Sequence, residues 1–272
     1  MGLRFTVLAS GSTGNATLVQ TEDATVLVDA GLSARKLEGL MKEREVEGSQ
    51  LDAVLITHEH SDHIKGLGAF ARKYELPVYA NEATWESMHK HLGKLDPQQR
   101  HILPTGGAAE FGGTLGRMRV QSYAISHDAA EPVGYCFYSG EAKLSLVTDL
   151  GYMSDKVKQQ VMDSDVMVLE SNHDPELLRM GRYPWNIKRR ILSDLGHLSN
   201  EAAGDALSEL VTDRLQRVYL AHLSLDHNLQ DLARMTVNNI LESRGFFFKR
   251  DEFALRDTHH DRATPWDEVR RR

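Results

Sequence analysis

The sequence predicts an α/β fold in one domain, spanning residues 1–257, with a polar tail over 258–272. Three observations carry this reading. Short apolar runs of strand length alternate with stretches at helical spacing. The length of 272 residues lies at the upper end of what one domain holds. Strand after strand ends in a residue that metals accept, namely Asp29, His58, His127, Asp149, Glu170 and His222. Collecting functional side chains at one sheet edge is how α/β scaffolds build sites.

The elements follow in order. Residues 3–9 alternate loosely and read as a strand. The turn Ser10-Gly11-Ser12-Thr13-Gly14-Asn15 is built from turn-forming residues. Residues 16–21 and 24–29 read as a hairpin around Glu22-Asp23. Ser33 is a candidate N-cap for a helix to about 44. Residues 53–56 form a short buried strand, 64–74 a helix, 77–80 a strand, and Asn81 caps a helix to 92. Glycines loosen the pattern over 103–116, which reads as a loop-rich crossover. Strands follow at 117–125, 133–138, 143–147, 166–169 and 217–220. Helices follow at 154–163, 184–195, 199–210 and 229–243. The tail from 258 ends Arg270-Arg271-Arg272 and is expected to be poorly ordered.

Hydrophobic residues make up 41% of the chain, enough for a sizeable core. The net charge of −7 argues against a globally basic nucleic-acid binder, so any polyanionic substrate is held by a local patch or by metal. A single cysteine, Cys136, excludes an intramolecular disulfide and fits a reducing compartment. It lies in the apolar run 133–138 and reads as a buried structural thiol. The first residues are too short an apolar run for a signal peptide, and no run approaches a membrane span. The expectation is a cytoplasmic protein with no membrane partner; its residues carry no signal for an oligomeric state.

The chemistry concentrates in Thr57-His58-Glu59-His60-Ser61-Asp62-His63, directly after the apolar strand. Imidazole nitrogen and carboxylate oxygen suit zinc, manganese or iron, and the lack of a nearby cysteine excludes a thiolate site. Each further residue has a plainer reading beside the functional one. His127 could be a strand-end surface histidine and Asp149 a turn residue before Gly151. His222 and His197 both read His-Leu-Ser and compete as a ligand; His222 is preferred because it follows the apolar run 218–220. Asp29 either supports the histidine loop or simply turns the chain. Ser10, Ser12 and Asn15 either face a phosphate or build the turn. His173 either lines a pocket or faces solvent. Lys188-Arg189-Arg190, with Arg182 and Tyr183 upstream, could track a nucleic-acid backbone or be a solvated face. His259-His260 read as solvated.

With His58-x-His60-x-Asp62-His63, His127, Asp149 and His222 in this order, the chain resembles the metallo-β-lactamase-fold hydrolases. Within them it looks like the YycJ/WalJ group, through Ala9-Ser10-Gly11-Ser12-x-Gly14-Asn15, Glu170-Ser171-Asn172-His173-Asp174, Gly181-x-Tyr183-Pro184, Gly196-His197-Leu198-Ser199-Asn200 and His222-Leu223-Ser224. The resemblance implies an αββα four-layer sandwich, two mixed β-sheets face to face with helices outside. It implies two divalent ions, zinc or manganese with iron also admissible. His58, His60 and His127 would hold one, Asp62, His63 and His222 the other, and Asp149 would bridge. It further implies a phosphodiesterase using a metal-activated hydroxide, a nuclease with 5′-to-3′ DNA exonuclease activity, DNA being favoured over RNA. Asp62 would also orient the hydroxide. Glu170 would hold His197 as a cation that stabilises the phosphate oxyanion or protonates the leaving oxygen. The competing readings are a small-molecule hydrolase on the same metals, either a cyclic phosphodiesterase or a glyoxalase II-like thioesterase, and a metal-binding protein without hydrolysis.

Overall fold

Alternation along the strands sorts the apolar side chains into two sets, and the sheets stack accordingly. The computed structural model describes residues 2–114, 116–249 and 252–271. The first sheet holds β1 (Leu3–Ala9), β2 (Ala16–Gln20), β3 (Thr25–Val28), β4 (Ala53–Leu55), β5 (Val78–Ala80) and β6 (Arg100–Ile102), with β14 (Asp267–Val269) outside β1. The second runs from β7 (Ala108–Phe111) and β8 (Met118–Ala124) through β9 (Val133–Ser139), β10 (Ala142–Val147), β11 (Val166–Glu170) and β12 (Arg217–Ala221) to β13 (Ala254–Asp257). Each sheet is antiparallel on one side and parallel on the other. From β3 to β6 and from β10 to β13 every pair is parallel.

Phe5, Val19, Val26 and Leu55 face Val120, Tyr135, Leu146 and Val168 between the sheets. The opposite set, Leu18, Leu27, Val54 and Ile56, buries α1 (Ala34–Lys42), α3 (Leu67–Tyr74) and α4 (Glu82–Leu92). On the far side Val147, Leu169 and Leu220 pack against α5 (Asp155–Val161), α8 (Asn200–Leu210) and α9 (Gln230–Ser243). Three apolar layers between four structural ones give the expected αββα sandwich. Side chains of Ser33, Asn81, Ser154 and Ser199 accept from backbone N–H groups in the first turns of their helices. Among the described residues no helix is long and apolar enough to cross a membrane.

Several segments differ from expectation, β13 among them. The crossover at 103–116 contains β7, and β6 precedes it. Ala108-Ala109-Glu110-Phe111 has no β-branched residue, so pairing with β8, not propensity, makes it a strand. A short helix, α6 (Pro175–Met180), precedes α7 (Trp185–Ile191), which ends earlier than the expected 195. The tail is ordered in the described residues. Thr264 donates its N–H to the Val7 carbonyl and accepts from Val7 N–H through Oγ1. Beyond it β14 pairs antiparallel with β1, and Val269 is buried. Polar composition suggested solvent, but β1 presents an unpaired edge that this segment covers. Arg272 lies outside the described residues.

Deleting residues 258–272 therefore removes an edge strand and buried apolar surface. Unfolding in urea is expected to show a loss of about 3 kcal/mol or more, from the Val269 side chain and the ladder hydrogen bonds together. An unchanged midpoint would mean that the segment contributes nothing.

Candidate metal centre

Parallel strands share a direction, so β3 with β4, and β10 with β11 and β12, end at a common edge. The chain must leave that edge sharply. Asp29, Asp149 and His222 make the turn at φ of 60°, 60° and 56°. That left-handed conformation costs a residue with a side chain about 1–3 kcal/mol, and such strain collects where function fixes the backbone.

The histidine loop leaves β4 at Thr57, and His60 N-caps the short helix α2 (Ser61–Ile64), which carries Asp62 and His63. The Asp29 carboxylate holds the loop. It accepts from Thr57 N–H at 2.9 Å, from Thr57 Oγ1 at 2.9 Å and from His63 Nδ1 at 2.8 Å. Thr57 Oγ1 also lies 3.0 Å from His58 Nδ1. With Nδ1 engaged, each imidazole turns Nε2 inward. Gly31 completes the seat, because a Cβ there would lie 1.6 Å from the Asp62 carbonyl oxygen.

The second sheet supplies the other half. His127 Nδ1 donates to the Gly196 carbonyl at 3.1 Å, leaving Nε2 3.3 Å from His60 Nδ1. Glu170, fully buried at the end of β11, accepts through Oε1 from both His197 Nδ1 and His222 Nδ1, each at 2.8 Å. Its Oε2 accepts from the N–H groups of Leu150 and Leu198 at 3.0 and 3.1 Å. Asn172 Nδ2 donates to the His222 carbonyl at 2.7 Å.

Seven side chains converge. Ligand atoms of His58, His60 and His127 lie within 4.8 Å of one another, and so do those of Asp62, His63 and His222. Asp149 joins His58 and His63 on one side, and Glu170, His197 and His222 on the other. His58 Nε2, His222 Nε2 and Asp149 Oδ2 are buried without a hydrogen-bond partner among the described residues. Orphaned buried polar atoms are costly, and these three have the chemistry and position of ligand atoms for a cation. The charges agree. The ion-pair partners of Asp29, Asp62, Asp149 and Glu170 among the described residues are all histidines. Burial favours the neutral acid of Asp149, yet the charges of His222 and His63 outweigh it and hold the group well below the usual carboxylate range. Glu170 is held at about 2, burial being overcome by His197 and then His222. The same carboxylates, Asp149 foremost, carry His63 and His222 well above the ordinary imidazole range against the effect of burial. Burial drives His58 the other way, well below it. Such a cluster suits a divalent cation with nitrogen and oxygen ligands. Cys136 takes no part; it is buried against Ser145.

The expected substrate contacts divide. Ser10 is structural, since its Oγ accepts from His222 N–H at 2.8 Å. Asn15 braces the loop: its N–H donates to the Asp62 carbonyl, and Nδ2 lies 3.1 Å from His63 Nε2. Ser12 and Arg182 are exposed. Lys188 is buried and donates Nζ to the Arg179 carbonyl at 2.6 Å, so it does not present its charge outward as expected. His173 is buried as well, and its Nε2 has no partner among the described residues. Thr57, Asn172, Gly31 and the Gly196 carbonyl act on the site without having been singled out. Thr57 gave a signal as the residue between strand and histidines, and Asn172 and Gly196 as members of the motifs around Glu170 and His197.

Asp29→Ala removes the acceptor that orients His63 and Thr57. Metal affinity is expected to fall by roughly 10–100-fold, as for other residues that orient ligands, read by equilibrium dialysis with elemental analysis. Unchanged affinity would assign Asp29 to the turn alone.

Sequence comparisons agree with this architecture. A family model for the β-lactamase superfamily domain matches residues 24–241. The exodeoxyribonuclease YycJ of Bacillus anthracis is 51% identical over 258 residues, covering 95% of this chain and 96% of that protein. The exodeoxyribonuclease WalJ of Streptococcus pneumoniae is 44% identical, covering 99% of each. Among solved structures, the metallo-β-lactamase-fold protein YhfI from Bacillus subtilis superposes with a TM-score of 0.71 at 18% identity, over 97% of this chain and 100% of that one. The chain belongs to the β-lactamase superfamily and, within it, to the YycJ/WalJ group.

Proposed function

We propose that this chain is a metal-dependent exodeoxyribonuclease, working 5′ to 3′ in the cytoplasm with two zinc or manganese ions. The observation that carries the reading is His197, paired with Glu170 beside a cluster able to hold two cations. The relatives named as exodeoxyribonucleases give the reading its substrate. His58, His60 and His127 would hold one ion, Asp62, His63 and His222 the second, and Asp149 would lie between. Their spacing supports these sets, and Asp149 is within reach of both.

Divalent ions so held would supply Lewis acidity to the phosphodiester oxygens and make water a better nucleophile. The protein side of the reaction falls to two accessible groups. The His197 side chain is 19% exposed, against 0% for Glu170 and 2% for His222. Its Nδ1 is committed to Glu170, which leaves Nε2 to meet the substrate. A proton at His197 Nε2 can neutralise a non-bridging phosphate oxygen or pass to the leaving oxygen. Asp62, at 22%, can orient the attacking water. The single cysteine, buried in β9, suits the reducing cytoplasm.

End-labelled single- and double-stranded DNA and RNA, incubated with Mn²⁺, Zn²⁺ or chelator, test the reading. Degradation of DNA from the 5′ end that requires metal and is lost in Asp62→Ala is expected. Activity confined to bis-aryl phosphates or thioesters would overturn it in favour of a small-molecule hydrolase. His197→Ala is expected to lower turnover by roughly a hundred- to ten-thousandfold with bound metal unchanged. Loss of metal in that variant would make His197 a ligand.

A further inference from the structure

The segment that carries α6 and α7 is unlike the rest of the surface. Residues 179–190 hold Arg179, Arg182, Lys188, Arg189 and Arg190 and no acidic residue, in a chain of net charge −7. They also expose Tyr183 and Trp185, the indole being 62% accessible. In space Arg179 pairs with Glu176, Arg190 with Asp128, and the Tyr183 hydroxyl donates to Asp226 at 2.8 Å. What is left is an exposed indole between the exposed Arg182 and Arg189 in the chain, and that combination calls for a ligand that offers both π-faces and anions.

One end of the segment is tied to the loop that follows β11, the other to the metal centre. At one end Tyr183 packs edge-on to His227, with ring centroids 4.4 Å apart, and the His227 carbonyl accepts from Asp174 N–H. Asp174 follows the Glu170–His173 run. At the other end Arg190 Nη2 donates to Asp128 Oδ1 at 3.0 Å, and the Asp128 carbonyl lies 3.2 Å from His60 Nε2. His197 N–H donates to the carbonyl of Ile191, the last residue of α7. Between these anchors the indole is oriented from below. The Lys188 ammonium lies 5.1 Å from the Trp185 ring centroid. That cation–π contact fixes one ring face and leaves the other to solvent.

We propose that Trp185, oriented by Lys188 and flanked by Arg182 and Arg189, is a stacking platform for an unpaired base of a single-stranded DNA end whose backbone enters the metal centre. The arginines take the phosphates and the indole takes the base. A base inside a duplex has both faces covered, so the platform favours single strands or frayed ends over blunt duplex. This rests on the nuclease reading and supplies its substrate form.

The test compares wild type with Trp185→Ala, Trp185→Phe and Arg182→Glu, each as the metal-loaded full chain. The probes are oligothymidylate, blunt duplex DNA and bis(4-nitrophenyl) phosphate. Trp185→Ala is expected to raise KM for oligothymidylate roughly five- to a hundredfold, the range of one lost base stack. Turnover of the small phosphodiester is expected to stay unchanged. Arg182→Glu should weaken oligothymidylate binding and reduce its salt dependence by about one phosphate contact or more. Oligothymidylate should quench wild-type tryptophan fluorescence, because Trp85 is buried and Trp266 is packed against the core. Trp185→Phe should lose that quench and keep most of the affinity. An unchanged KM in Trp185→Ala, an equal loss on blunt duplex, or an equal loss on the small phosphodiester would each overturn the platform. Failure of wild type to degrade DNA would instead overturn the nuclease reading, and the quench would still report on the platform.

Discussion

One buried carboxylate, that of Glu170, ties the site together. It receives two imidazoles and two backbone N–H groups, and these come from the end of β10, the loop before α8 and the end of β12. A fully buried carboxylate is tolerable only when its lone pairs are met, and here four donors meet them. The arrangement orders two histidines with different surroundings. His222 is buried and turns Nε2 toward Asp62, while His197 stays partly accessible. A single acceptor oxygen thus orients a candidate ligand and a candidate proton donor.

Asp29 performs the matching task in the first sheet. It fixes His63 and, through Thr57, stands beside His58. Each half of the molecule therefore contributes a carboxylate at the end of a parallel strand, and each carboxylate sets imidazole orientation. The left-handed turns at Asp29, Asp149 and His222 follow from the same demand. Chain direction must reverse at the sheet edge within one residue, while the side chain remains over the centre. Tertiary packing has to hold that strain, and the Ser10 hydroxyl on His222 N–H is one of the contacts that does.

The surface outside the site follows a different logic. Lys188 turns in, under Trp185, and Arg190 is engaged by Asp128. What remains outward is a pair of aromatic rings and the exposed Arg182 and Arg189. The basic run read along the chain is one feature; in three dimensions it separates into cations that orient and cations that face solvent.

Much of the fold was legible in the sequence because burial writes either a period or a short apolar run into it. Most of the helices bury one face and show that period, while strands such as β3, β4, β10 and β11 are buried on both faces and show instead as short continuous apolar runs. The segments β6, β7, β13 and β14 showed neither, since edge strands are short and lean on a partner for their definition. The seven converging residues were legible by their types and order at strand ends, which imply one edge once the strands are parallel. Of their supports, the strand-end carboxylates Asp29 and Glu170 were legible and most others were not. Thr57, Asn172, Gly31 and the Gly196 carbonyl act through distance, and a backbone carbonyl or a glycine carries no chemical label. By itself the sequence determined the apolar layering and the residues able to meet at a sheet edge, because both are matters of side-chain type and spacing. Only the tertiary structure decided that His222 and His197 share one carboxylate, that the tail closes the first sheet, and that Lys188 lies beneath an indole. Each of these depends on contacts between segments far apart in the chain, whose geometry no local pattern specifies.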